Sequence, residues 1–147
     1  MELITFLNES REEILEEAVN HLSGCHAKSY DASNKKENKE RFGKLFDLTI
    51  ESIEAKSLIH IKHYTEDIAK ERFESGFDLS EVITAFNALE EQIWKRILKG
   101  YHNSDLGKVL GYISTVLGAG KESLALTYVS LAGKRRVATL DLSALFQ

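Results

Sequence analysis

The stretch Asp105–Ala132, DLGKVLGYISTVLGAGKESLALTYVSLA, decides the fold. Two sets of residues recur in it at seven-residue spacing. Leu110, Leu117, Leu124 and Leu131 form a ridge, and Gly111, Gly118, Ala125 and Ala132 form a groove of small residues beside it. Both registers hold only in one continuous helix, about 40 Å long at the α-helical rise. Nothing in the stretch alternates as a strand would. Gly107, Gly111, Gly118 and Gly120 together disfavour that helix by about 3–4 kcal/mol relative to alanine. Tertiary contact has to offset this, and close backbone approach by another helix is the expected gain. A bend at Gly118–Gly120 is the competing reading.

Upstream, apolar residues recur at three- and four-residue steps in a chain of 147 residues with no proline. A first helix is expected from about Leu3 to Leu22, with Ile14, Leu15, Ala18, Val19 and Leu22 inward. Asn8 or Ser10 is its cap, Ser10 having Glu13 at capping-box spacing. It either stops at Ser23-Gly24 or continues towards Tyr30. A second helix, entered near Ser33 or Asn34, buries Phe42, Leu45, Phe46, Ile50 and Ile53. A third, about Leu58 to Ser75, turns Ile61, Tyr64, Ile68 and Phe73 inward. The join at Ala55–Ser57 lacks a strong breaker, so one bent helix is also compatible. Gly76 suits a left-handed helix end. Asp78 with Glu81 reads as a capping box, and Phe77 with Val82 as a staple. The helix from Leu79 to about Lys99 lines its inner face with Val82, Phe86, Leu89, Ile93 and Ile97, widened by Trp94 and Leu98. Gly133-Lys134-Arg135-Arg136 reads as a helix end with cations set against the dipole. Residues 1–133 are thus expected to form one domain. Residues 134–147 are expected to be a C-terminal helix extension, docked back or not, or a linker to a further domain.

Composition removes several function classes. A chain of this length buries about 70% of its unfolded surface and needs neither disulfide nor metal to fold. Its single cysteine fits a reducing, cytoplasmic setting. A net charge of −4 provides no basic excess for nucleic acid. No apolar run is long enough to span a membrane. The opening Met1–Thr5 lacks the basic region of a signal peptide.

Candidate chemistry is sparse. There is no phosphate-binding glycine loop, no nucleophile elbow and no triad geometry, so the chain is not expected to be an enzyme. His21 and Cys25 would share a face if their helix continued, but two ligands fall short of a zinc site. His60, beside Ile61 and Tyr64, is the candidate haem ligand. His63, on the polar side with Glu66 and Asp67, is the candidate phosphotransfer histidine, although no His-x-x-Lys-Gly follows. For both, an ordinary solvated or core-edge histidine is the default. The Glu12–Glu17 and Glu90-Glu91 carboxylates lack the Glu-x-x-His partner of a di-iron bundle. Trp94 with Phe86 is a candidate pocket wall but reads first as core. No cofactor is expected.

Two stretches carry a resemblance. Glu71 to Ile97, ERFESGFDLSEVITAFNALEEQIWKRI, resembles the helix–Gly–helix core of the RsbRD-type N-terminal domain (RsbT co-antagonist) at Arg72, Gly76, Leu79, Phe86 and Trp94. Phe6-Leu7-Asn8 through Ile14-Leu15-Glu16-Glu17 resembles that family's first helix. Ala18 and Ser75 stand where members often carry tryptophan and glutamine. The resemblance implies a dimeric, non-haem, globin-like sensory domain of bacterial stress signalling with no catalytic residues to carry over. In such proteins it precedes a STAS domain, and similar segments precede PAS and kinase modules. The expectation is therefore an all-α bundle of five to six helices, globin-like or related, with a long C-terminal helix. That helix packs the core and pairs two copies through the leucine ridge and small-residue groove named above. It relays a ligand or partner signal to a STAS, PAS or kinase module. A haem- or small-ligand-binding sensor using His60, and a phosphotransfer or kinase-docking bundle using His63, are the alternatives.

Overall fold

A computed structural model describes residues 2–102 and 104–139. It is an all-α bundle with a long C-terminal helix. The helices are α1 (Glu2–Glu9), α2 (Arg11–Ser23), α3 (Lys28–Ala32), α4 (Lys35–Ala55), α5 (Ile59–Glu74), α6 (Leu79–Gly100) and α7 (Leu106–Thr139). Among the described residues, seven helices replace the expected five to six because the first breaks at Ser10 and a short turn of helix follows α2. α2 lies between α4 and α6, while α7 runs chiefly along α5 and then touches α6 and α4. The inward stripes read from periodicity close on one another: Ile14, Leu15, Phe46, Ile61, Leu89, Ile93 and Ile97 are all essentially inaccessible.

The helix ends show which local signals governed. Asn34 caps α4, its side chain accepting from the Glu37 N–H at 2.7 Å. Asp78 and Glu81 form the expected reciprocal capping box of α6. Gly76 takes φ +84. There the Gly76 and Phe77 N–H groups donate to the Phe73 and Arg72 carbonyls, closing α5 with a Schellman pair. α4 and α5 are separate helices, not one bent rod. Lys56 sits in the left-handed region (φ 51, ψ 43), a conformation uncommon for a residue with a Cβ.

Other expectations fail for tertiary reasons. No capping box forms at Ser10. Its hydroxyl accepts from Arg96 Nε at 3.1 Å, and Glu13 also pairs with Arg96 at 3.4 Å, so this corner is clamped to α6 instead. Trp94 (36% exposed) and Leu98 (58%) do not widen the inner face of α6 but lie outside it. Gly133 does not end α7, which continues to Thr139. Arg135 lies 4.5 Å over the Phe73 ring and holds this extension against α5. The reading of the tail as a docked helix or linker falls largely on residues 140–147, outside the described residues.

Candidate functional site

α7 is bound along one side and open on the other. Towards the bundle, Val109, Ile113, Val116, Leu117, Leu124 and Tyr128 are buried. The tightest approach is at Gly120. A Cβ there would stand 3.2 Å from Thr65 Cγ2, 3.3 Å from Phe86 Cε2 and 3.4 Å from Ile61 Cγ1. Polar bonds on the flanks fix the rotation of the helix. Lys121 Nζ donates to Asn87 Oδ1 at 2.9 Å on α6, and Ser123 Oγ donates to the Lys62 carbonyl at 3.1 Å on α5. Tyr128 donates its hydroxyl to the Phe77 carbonyl at 3.0 Å, and burial pushes that hydroxyl up to about 12.

That rotation aims the small-residue register outward. A Cβ at Gly111 or Gly118 would meet nothing within 4 Å, so neither is a site of close approach within the chain. Among the α7 glycines only Gly120 is a site of close approach within the chain. Ala125 is half-buried and Ala132 exposed, and Leu126 (64%) and Val129 (67%) stand exposed beside them. Between Val109 and Gly133 the helix has two charges, Lys121 and Glu122, and Lys121 is turned to α6. The leucine ridge behaves differently. Leu117 and Leu124 are fully buried in the chain's own core, and Leu110 and Leu131 are half-buried at its edges.

Beside the open edge, a half-open hollow of about 770 Å³ lies between the α4–α5 joint and α7. Ile53, Leu58, Tyr112 and Val116 wall it, with Ser52 on its α4 side. The Ser52 hydroxyl is buried without a hydrogen-bond partner. Sequence periodicity could not show this hollow, because it depends on the left-handed turn at Lys56.

The remaining candidates are scattered. The Cys25 thiol donates to the His21 carbonyl at 3.2 Å past the end of α2, while the His21 ring pairs with Glu91 at 3.0 Å. His60 is exposed and lies 2.6 Å from Glu51, and His63 is exposed. The carboxylates of α2 form ion pairs, Glu12 and Glu16 with Lys39. Among the described residues no group of three or more His, Cys, Asp or Glu side chains is placed to hold a metal. None of the described helices is long and apolar enough to cross a membrane. No protein-family model, curated protein or solved structure matches the chain.

Proposed function

We propose that this chain is a non-catalytic sensory or regulatory module that pairs with a second copy of itself through the outward edge of α7. The observation that carries this is the division of one helix into a packed face and a nearly charge-free face whose glycines meet nothing within the chain. An acidic protein repels its own copies over most of its surface. The outward edge of α7 carries Glu122 alone of its own charges, with Lys62, Glu66 and Lys70 of α5 beside Leu126, and its small residues let two helices approach closely. Two copies would bury Leu126 and Val129 and use the same patch on each partner, as a twofold dimer requires. The hollow walled by Tyr112 and Val116 adjoins this edge. Occupancy there, or a contact at the α4–α5 joint, would press on α7 and alter the pairing. The resemblance to RsbRD-type domains supports a cytoplasmic stress-signalling setting, a globin-like arrangement without haem, and a STAS, PAS or kinase module as the recipient.

Sedimentation equilibrium tests the pairing. The intact chain should be a dimer that dissociates on dilution, and Gly118→Leu should be monomeric with unchanged helix content. A wild-type chain that stays monomeric at high concentration, or a Gly118→Leu chain that dimerises as tightly as wild type, would overturn it.

A further inference from the structure

The hollow between the α4–α5 joint and α7 grades from a buried end to an exposed one. Ser52, Ile53 and Val116 are buried, and Leu58 and Tyr112 are half-buried. Glu54, Lys56 and Thr115 are exposed. Its volume of about 770 Å³ falls within the usual range of small-molecule sites, about 300–1,000 Å³.

The lining restricts what would fit. Ile53, Leu58, Val116 and the Tyr112 ring give it apolar walls, which favour an apolar body that displaces water from them. Its two charged residues, Glu54 and Lys56, have opposite signs. Neither an anion nor a cation therefore gains a net partner, and a charged group would lose its hydration without return.

One polar group in the lining is unmatched. Thr49, Thr65, Thr84 and Thr127 each donate their hydroxyl to the carbonyl four residues back in their own helix. Ser57 Oγ accepts from the Ile59 N–H at 3.3 Å. Ser52 is 3% exposed, and its hydroxyl makes no bond to its helix or to any other group. A buried hydroxyl left so is costly, and that cost falls when an oxygen accepts from it.

We infer that the hollow binds a small uncharged molecule with an apolar, ring-sized body and one oxygen, a ketone or an alcohol, which meets the Ser52 hydroxyl. That hydroxyl is otherwise closed to solvent, so the half-buried Leu58 and Tyr112 side chains turn aside to admit the oxygen. Tyr112 and Val116 belong to α7, so the inference names what would press on that helix. The link from occupancy to pairing rests on the function proposed above; binding itself does not, and the two can fail separately.

Proton–nitrogen NMR titration of the full chain tests it, with acetophenone and 1-phenylethanol as probes. At least one should give saturable shifts at the amides of residues 52–58 and 112–116. Cumene, close in shape but without the oxygen, should bind about tenfold more weakly, and benzoate and benzylammonium about tenfold or more weakly. Ser52→Ala should melt no lower than wild type, because it removes an unmatched hydroxyl. It should weaken the oxygen-bearing probe about tenfold, to the level of cumene, and leave cumene unchanged. A serine with a merely structural role would shift all probes together. Any of four results would overturn the proposal: neither oxygen-bearing probe gives saturable shifts at the hollow; cumene binds as tightly as both; benzoate or benzylammonium binds as tightly as both; or Ser52→Ala fails to separate the oxygen-bearing probe from cumene.

Discussion

Gly118 and Gly120 are two residues apart on one helix and have opposite surroundings. Gly120 lies under Thr65, Phe86 and Ile61, so close that even a methyl group would force neighbours to shift; Gly118 faces open space. Both lower helix propensity equally. At Gly120 the loss is offset inside the chain by packing that nothing larger would allow. At Gly118 the chain itself offers no compensation, and that difference points to a surface used by something else. A glycine's role is thus set by helix rotation, which the Lys121 and Ser123 bonds fix.

Substitutions sharpen the contrast. Gly120→Leu should be the most damaging, destabilising the fold by about 1–3 kcal/mol or more through overpacking, read as a lowered urea midpoint at unchanged slope. Equal midpoints for Gly120→Leu and Gly118→Leu would erase the distinction between the two faces. Next, Asp78→Ala should cost about 1 kcal/mol by removing the cap of α6, without affecting dimerisation, because α6 meets the packed face only. Gly111→Ala, made in the monomeric Gly118→Leu background, should gain about 1 kcal/mol, since a methyl there meets nothing. A loss instead would mean the outer edge is packed within the monomer.

Acid supplies the smallest effect. Burial pushes the Glu81 carboxyl up, but the Ser29 N–H and hydroxyl, at 2.7 Å each, and the Asp78 N–H outweigh it, holding it below 4.5. A carboxyl depressed in the folded state stabilises fully above its unfolded value and loses that contribution as pH falls through the folded one. Stability measured by urea titration should therefore decline below about pH 4.5, with a shallower decline in Glu81→Gln. The gap between the Gly118 and Gly120 variants should stay constant through this range, because Glu81 shares no partner with either.

How much was legible depended on whether the signal was local. Asp78, Glu81 and Gly76 announced a helix junction through residues within a few positions of one another, and the junction formed as read. Ser10 and Glu13 had similar spacing, but Arg96, distant in sequence, took both. Trp94 has the composition of a core residue and lies outside because the inner face of α6 was already filled at Leu89, Ile93 and Ile97. Lys56 gave no sign that it would turn left-handed and open the hollow beside α7. The burial of Arg72 could not be recognised from sequence, since it depends on Tyr30 and Phe77 arriving from different segments.

By itself, the sequence determined that this chain is helical, that Asp105–Ala132 favours one long rod, and which residues turn towards the core in most helices, Trp94 and Leu98 excepted. These follow from backbone hydrogen bonding and apolar periodicity, which act within a turn or two of helix. Tertiary structure alone decided which glycines are covered, where the hollow lies and which arginine is buried. Those outcomes depend on how helices rotate and cross, and that is settled by side chains far apart in sequence competing for the same space.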